Sequence, residues 1–404
     1  MRITLYRYLT FCFFVPVFCT FIHFFSSSAP GQVSVFNAGG QISFVDIGFD
    51  YANNEIVAVG NVDNGGSETP SLFRLSAADN ITFSTSALTG LGPNVEVAGI
   101  SPGASYVAGT SEASSTDSSV VGLAWQSSDP ANPILAATSI TFDKYFDFNF
   151  IFAGDAFDGG VVGTAADALD PFAFVNGYRY DAASNSIAAQ PSFFGSGLSV
   201  SDTNADGTVT VGASGDFGQM SGVIFDENGN ATTFSTGPFT QFESVSPNGE
   251  LIGGSDGFDF NPTVFEVGPD GTIEEEVLFA LNDLTGQLEP LQFGSVTGIS
   301  DSGFAIGGSD SFGGGFIWNE TFNGIDSQFL GAQGFVDWVA AIGGQTLPAD
   351  STVAGIIERD GILHFAVNSG DGAFLVSVNT IPEPGSFALS FPVVLCLCLR
   401  RKKA

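Results

Sequence analysis

The chain of 404 residues carries 43 acidic and 10 basic side chains, a formal net charge of -33 at pH 7. All but one of the acidic residues lie between residues 31 and 380, where the only basic residues are Arg74, Lys144, Arg179 and Arg359. This balance excludes binding to nucleic acid or anionic lipid, because both need Lys and Arg to neutralise phosphate. A hydrophobic content of 44% predicts a folded core, and 52 glycines favour an all-β fold with many turns.

The first 29 residues have the layout of a secretory signal peptide. Arg2 and Arg7 form a positive start, Leu9 to Phe25 is an apolar run, and Ser26 to Ala29 supplies small residues for signal peptidase. This layout predicts a signal helix over residues 1–29 and export of the remainder. An uncleaved membrane anchor is the alternative, since the apolar run is longer than usual.

The cysteines lie only near the two ends of the chain, as Cys12, Cys19, Cys396 and Cys398. The region between them therefore offers no disulfide, no thiol nucleophile and no cysteine ligand for zinc. His364 is the only histidine after the leader, and we expect it to be a packed strand residue rather than a catalytic base.

Between residues 30 and 380 the sequence repeats about every 50 residues. Each copy has an apolar strand, a Ser with a turn, a second strand ending in Gly, and a third strand with an aromatic residue. The closing glycines are predicted at Gly60, Gly109, Gly163, Gly212, Gly253, Gly307 and Gly355. The aromatic residues are Phe73, Trp125, Tyr178, Phe225, Phe265, Trp318 and Phe365.

Four short antiparallel strands per copy are typical of a β-propeller blade. A blade exposes two apolar faces, so blades must stack around an axis until the ring closes. Seven copies predict a single seven-bladed propeller over residues 30–380, although six or eight blades, a β-solenoid or a pair of β-sandwiches remain open. Closure requires both ends of the chain in one blade, and residues 33–36 and 373–378 are the candidate strands.

The repeat resembles the extracellular HAF repeat family. The residues that match its pattern best are Ile299, Gly303, Ile306, Gly307, Ser309, Phe316 and Trp318. The resemblance implies an extracellular location and this fold, and no particular chemistry.

Asp202, Asn204 and Asp206, followed by Gly207, match the first half of a calcium loop, in which alternate side chains supply oxygen ligands. Calcium is therefore a candidate ligand here. The twelfth position is Ala213 rather than Glu, so the second half of the motif is missing. The same stretch aligns with the first turn of other copies, and turn chemistry explains its Asp and Gly equally well. Another acidic loop could also hold calcium, and the sequence indicates no other cofactor.

Residues 381–404 differ from the rest of the chain. Pro382, Glu383 and Pro384 precede a short apolar stretch, and the chain ends in a basic cluster. The basic residues are Arg400, Arg401, Lys402 and Lys403. The apolar stretch, broken by Pro392, would form a hydrophobic helix shorter than the roughly 30 Å bilayer core, so it suits transient insertion better than a durable span. The basic cluster would stay on the cytoplasmic side.

This order of motif, apolar stretch and basic end resembles the bacterial PEP-CTERM sorting signal. The resemblance implies recognition by an exosortase-type membrane transpeptidase and cleavage near the motif. An ordinary tail anchor is the alternative.

Two functions follow as expectations. The first is an exported, non-catalytic protein of the cell envelope or extracellular matrix, whose propeller binds exopolysaccharide or envelope proteins in adhesion or biofilm. The alternative is a secreted carbohydrate-active hydrolase or lyase that uses two carboxylates on the propeller, since glycoside hydrolysis needs only such a pair. The sequence does not select a catalytic pair among the acidic residues.

Overall fold

In the computed structural model, the described residues are 33–137, 150–167, 170–191, 197–216, 219–268, 271–282, 284–323 and 329–380. The predicted signal helix, the sorting motif, the hydrophobic helix and the basic tail lie outside them. The described chain forms seven four-stranded antiparallel sheets, which confirms the seven-bladed propeller.

Each blade contributes one strand to the wall of the central axis. The innermost strands are Ile42–Asp50 (β2), Glu96–Ile100 (β6), Phe150–Phe157 (β10), Gly197–Thr203 (β14), Gln241–Val245 (β18), Ser295–Ile299 (β24) and Thr352–Arg359 (β28). The second strands are Glu55–Asp63 (β3), Tyr106–Ser114 (β7), Gly160–Asp167 (β11), Val209–Asp216 (β15), Leu251–Asp256 (β19), Ala305–Ser309 (β25) and Ile362–Ser369 (β29).

The remaining two strands of each blade lie further from the axis. The third strands are Glu68–Ser76 (β4), Asp117–Gln126 (β8), Asp170–Asp181 (β12), Gln219–Asp226 (β16), Asn261–Val267 (β20), Phe312–Trp318 (β26) and Gly372–Asn379 (β30). The outermost strands are Phe83–Ala87 (β5), Ile134–Ala137 (β9), Ser186–Pro191 (β13), Ala231–Phe234 (β17), Ile273–Val277 (β21), Gln333–Gly334 (β27) and Val33–Gly39 (β1). We number the blades 1 to 7 from the one that begins with β2.

The last blade closes the ring with strands from both ends of the described chain. β1 pairs with β30 along its length, from Val33 opposite Val378 to Gly39 opposite Ala373. Asn368 of blade 7 then joins blade 1, because its Oδ1 accepts the Phe44 N–H and its Nδ2 donates to the Phe44 carbonyl, both at 2.7 Å. The predicted closing strands are thus confirmed.

The core lies between neighbouring blades. Six of the predicted aromatic residues are on third strands and at most 3% exposed: Phe73, Trp125, Tyr178, Phe225, Phe265 and Trp318. Phe365, the seventh, is also buried but lies on the second strand β29. In the last copy the aromatic residue was therefore predicted on the third strand, whereas it lies on the second.

The repeated glycine has a geometric cause at the axis. Each innermost strand contains a β-bulge, and the second-strand residue opposite the position before the bulge is Gly in blades 1 to 6. A Cβ at Gly60, for example, would lie 2.0 Å from the Ser43 carbonyl oxygen. In blade 5 this glycine is Gly254, one residue after the predicted Gly253.

Blade 7 departs from the glycine pattern. Val367 stands opposite Val353, while Gly355 follows the bulge on β28 itself. The prediction of Gly355 as a second-strand end was therefore wrong.

The cause of this error is an insertion between β27 and β28, which contains a helix over Phe335–Gly343 (α1). Phe335, Trp338 and Val339 are its buried face, and Gly344 ends it in the left-handed conformation. A second insertion, between blades 5 and 6, is the hairpin Phe279–Asn282 (β22) and Gln287–Pro290 (β23). A 3-10 turn, Glu320–Asn323 (η1), follows β26.

We expect Gly212→Val to destabilise the protein by about 3 kcal/mol or more, because its Cβ would lie 1.9 Å from the Ser199 carbonyl oxygen and must displace the innermost strand. Gly308→Val is the matched control, since a Cβ at this second-strand position meets no atom within 4 Å. Urea unfolding of both variants measures the difference. Equal stability of the two would contradict this role of the glycine.

Candidate functional site

The bulge in each innermost strand places one residue of every blade at the axis. The residues within the bulges are Val45, Ala98, Gly154, Ser201, Glu243, Thr297 and Ala354. They line an axial cavity of about 160 Å³, together with five of the residues that directly follow them: Asp46, Asp155, Asp202, Gly298 and Gly355. A bulge adds one residue to a strand and re-aims the neighbouring side chains, which is why successive residues here reach the same cavity.

The residue directly after the bulge is the position at which the aspartate carboxyl groups of the axis are found. Its occupants in blades 1 to 7 are Asp46, Gly99, Asp155, Asp202, Ser244, Gly298 and Gly355. Three carboxyl groups therefore surround the axis at equivalent positions. Asp46 and Asp155 could not be selected from the sequence, because the repeat frame alone does not show where each bulge falls.

Asp46 joins blade 1 to blade 2. Its Oδ2 accepts the Ile100 N–H at 2.9 Å, and its Oδ1 lies beside Gly355, where a Cβ would come within 2.7 Å. Burial raises the pKa of Asp46 to about 7, more than the bonds from the backbone N–H groups of Ile100 and Ile47 lower it.

Asp202 makes the same connection from blade 4 to blade 5. Its Oδ2 accepts the Val245 N–H at 2.7 Å, and its Oδ1 accepts the N–H of the adjacent Thr203 at 2.6 Å. Burial raises the pKa of Asp202 as well, against these hydrogen bonds and a further one from Asp155.

Asp155 completes the cluster in a different way. Its Oδ1 is buried against Gly99 and has no hydrogen-bond donor, and its carboxyl group meets that of Asp202. Burial, followed by the charge of Asp202 and the hydrogen bond to it, raises the pKa of Asp155 well above its usual value. Two carboxyl groups in contact cannot both ionise at low cost, so Asp155 is the protonated member and donates to Asp202.

A Gly in the preceding blade explains why Asp46 and Asp155 fit. Gly355 and Gly99 leave room for the Oδ1 atoms of Asp46 and Asp155, respectively. Asp202 has Asp155 instead of Gly at the preceding position, and this is what brings two carboxyl groups together.

The geometry of this cluster fits a structural role better than hydrolysis. The cavity of about 160 Å³ is smaller than the roughly 300 to 1,000 Å³ typical of ligand pockets. Asp155 and Asp202 are in hydrogen-bond contact, whereas glycosidase carboxyl groups stand about 5 Å or more apart with the sugar between them. Asp46 and Asp202 instead connect each of their blades to the next one through backbone N–H groups.

A larger cavity of about 550 Å³ lies between blades 5 and 6, away from the axis. Its acidic lining residues are Glu266, Glu274, Glu275, Glu276, Asp301 and Glu320, with Trp318 beside them. Burial, and then the charge of Glu320, raises the pKa of Glu276. A raised pKa suits a general acid, so this cavity is where the described residues could accommodate paired-carboxylate chemistry.

The predicted calcium residues do not meet at one point. Asp202 points to the axis, whereas Asn204 Oδ1 accepts the Val209 N–H and Asp206 Oδ1 accepts from both N–H and Oγ1 of Thr208. These are turn hydrogen bonds, so turn chemistry accounts for the loop without an ion. Among the described residues, no group of three or more His, Cys, Asp or Glu side chains is placed to hold a metal.

His364 is packed in blade 7, as expected. Its Nδ1 is 2.8 Å from Ser377 Oγ, and its ring stacks on Phe49 with 5.5 Å between centroids. Burial lowers its pKa to about 4, so it is neutral at physiological pH. These contacts confirm a satisfied strand histidine.

The sorting residues, Pro382 to Pro384 and Arg400 to Lys403, lie outside the described residues. Within the described part of the chain, every helix is too short or too polar to cross a membrane.

No protein family and no curated protein matches the sequence. Solved structures do match. The β-propeller domain of the Trilobed protease from Pyrococcus furiosus is 10% identical with a TM-score of 0.45, over 86% of this chain and 95% of that one. A streptogramin B lyase structure is 10% identical with a TM-score of 0.45, over 88% of this chain and 100% of that one.

A further match is a structure from a study of two prolyl endopeptidases. It is 11% identical with a TM-score of 0.49, over 87% of this chain and 48% of that one. All three scores lie below 0.5, so these likenesses carry no argument about activity. The propeller is established by the strand pairing itself.

Proposed function

We propose that this is an exported, non-catalytic protein of the cell envelope or extracellular matrix, whose propeller serves adhesion through exopolysaccharide or envelope proteins. The observation that carries the proposal is the engagement of the three axial aspartate side chains by neighbouring groups of the ring. Asp46 and Asp202 are engaged by backbone N–H groups, and Asp155 is engaged by Asp202, so the central cavity supports the ring rather than a reaction.

Delivery follows from the two terminal segments. The leader over residues 1–29 would take the chain out of the cytosol through signal peptidase. The tail over residues 381–404, similar to a PEP-CTERM signal, would insert briefly in the membrane and be processed by an exosortase-type transpeptidase. Its location would then be the envelope or the extracellular space.

We expect the full-length chain, expressed in a bacterium that encodes an exosortase, to reach the envelope or medium with its tail removed. Glu383→Ala should leave a larger, membrane-associated form, because the motif is altered while the apolar stretch remains. Fractionation with immunoblotting and the mass of the mature C-terminus measure both results. Glu68→Ala, which removes an exposed carboxylate of the propeller, is the control. Cytosolic full-length protein with its leader intact would contradict the proposal.

The cavity of about 550 Å³ favours the alternative of a secreted carbohydrate-active hydrolase, in which Glu276 would be the acid and Glu320 the base. Release of reducing ends from neutral and acidic polysaccharides separates the two functions. Under the primary proposal no reducing ends form. Release by the parent chain that is lost in Glu276→Gln would establish the alternative.

A further inference from the structure

Three phenylalanine rings form a partly exposed group at one end of blade 5, which we call the aromatic platform. They are Phe239, before β18, and Phe258 and Phe260, in the turn between β19 and β20. The Phe239 ring is 5.5 Å from that of Phe258 and 5.6 Å from that of Phe260. Phe258 is 73% exposed, although an aromatic side chain of this size is normally buried.

The backbone holds these rings in place at an energetic cost. Phe260 has φ of 46°, and Phe293, in the connection that leads to β24, has φ of 50°. Left-handed backbone is unfavourable at a bulky residue, so the surrounding structure must hold it in place. The two segments support each other, because the Phe293 N–H donates to the Asp259 carbonyl at 2.7 Å and the Gly294 N–H donates to the Phe260 carbonyl at 2.9 Å.

Phe293 is itself 54% exposed, and its backbone is bonded to the turn that carries Phe258 and Phe260. Its side chain and those of the platform thus stand on connections that are hydrogen-bonded to one another. This arrangement is a preorganised binding surface rather than a loose apolar loop, because the rings do not need to be ordered when a ligand arrives.

Charge limits what can bind there. Two exposed carboxylates lie near the rings: Asp259 stands between Phe258 and Phe260 in the turn, and the Asp310 N–H donates to the carbonyl of Gln292, next to Phe293. Among the described residues, the basic side chains are at the opposite end of the blades: Arg74 pairs with Asp50 and Glu55, Arg179 donates to the Gly207 carbonyl, and Arg359 ends β28. Phosphate, acidic polysaccharide and anionic lipid would therefore meet repulsion without a compensating cation.

We infer that the aromatic platform, together with Phe293, binds neutral polysaccharide. A pyranose ring offers a face of C–H groups, polarised positively, that matches the negative face of a phenyl ring. Its hydroxyl groups are donors for the nearby carboxylates of Asp259 and Asp310. A protein partner would instead have to bury these carboxylates or supply cations to pair them. The inference rests on the proposed function and specifies its ligand class.

Affinity electrophoresis of the full-length chain in gels with a neutral soluble β-glucan or with alginate tests this inference. We expect the neutral glucan, but not alginate, to retard the protein. Phe258→Ala should weaken the apparent affinity about tenfold or more, and Phe258→Trp should retain it. Leu284→Ala is the matched control, since this leucine is 97% exposed at the tip of the β22–β23 hairpin.

Retardation by alginate alone, or equal retardation of Phe258→Ala and the parent chain, would overturn the inference. So would absence of retardation by a panel of neutral glucans, mannans and soluble chitin oligomers. A Phe258-dependent dimer in light scattering, without glycan binding, would assign the surface to a second copy instead. Thermal unfolding confirms that each variant is folded. Because location is measured separately, failure here while the chain still reaches the envelope would leave the proposed function standing.

Discussion

Placing a charge on both faces of β1 should open the ring. Val35 packs with the core shared by blades 6 and 7, and Phe36 packs with the core between blades 7 and 1. The double variant Val35→Asp/Phe36→Asp would bury two carboxylates or expel the strand, and we expect a loss of about 4 kcal/mol or more in the free energy of unfolding. Urea unfolding, with size-exclusion chromatography for expansion, measures it.

The matched control is Asn37→Asp, which adds a charge to the same strand at an exposed position. In the parent chain the Asn37 Oδ1 accepts a hydrogen bond from the Gly39 N–H, and an Asp side chain can accept the same bond. The control should stay close to the parent chain. A double variant as stable as this control would show that β1 is not needed for closure.

The stability of the protein should also depend on pH through its axial aspartates. An Asp whose pKa is raised by folding holds a proton that the unfolded chain has already released, so stability falls as pH rises through the interval between the two values. This interval begins near the ordinary Asp value of 3.8 and, for Asp46, extends to about 7. Asp155 and Asp202 shift in the same direction. His364, whose pKa burial lowers to about 4, acts in the opposite direction up to its ordinary value of 6.5. We therefore expect the decrease in stability to be clear between pH 6.5 and pH 8, where only the raised aspartates contribute.

Asp155→Asn should reduce this dependence. The amide keeps the shape beside Gly99 and donates to Asp202 without a titrating proton. At pH 8 the parent must keep the Asp155 carboxyl group protonated or bury its charge, a cost that the amide does not carry, so we expect the variant to be more stable than the parent at this pH. Urea unfolding across this pH range measures it, with Glu68→Gln as a control for removal of an exposed charge. A parent chain that gains stability between pH 6.5 and 8, or a variant that is less stable than the parent at pH 8, would contradict the assignment.

The fold could be predicted from the sequence because each propeller blade is formed by strands that are consecutive in the chain. Its pattern therefore repeats over short stretches of sequence. Glycines such as Gly60 and Gly212 recur because each stands opposite a bulge, and the wedge aromatics recur because each fills the same space between blades. The closing strands could be found because only the two ends of the repeat region were left without partners. In the last blade, α1 lengthened the spacing and moved the prediction from Val367 to Gly355. The spacing of Phe335, Trp338 and Val339 was a helical signal that could have prevented this error.

The candidate sites were much harder to predict. Asp46, Asp155 and Asp202 are distant in sequence and line the same cavity only because each directly follows the bulge of its innermost strand. Asp202 belongs to a calcium-like motif in the sequence, yet its partners are Val245, Thr203 and Asp155. The exposure of Phe258 likewise depends on the turn conformation, and alternation along a strand does not reveal it.

The pairing of β1 with β30 has a consequence for how the protein is made. β1 is the first described segment to leave the ribosome, and its partner, Gly372–Asn379, is the last. Until that partner emerges, the nascent chain is an arc of blades with two open edges, each able to pair with a neighbouring chain. The full ring therefore forms only after synthesis of the described region is complete, and a chaperone that shields β1 during this time would raise the yield of native protein.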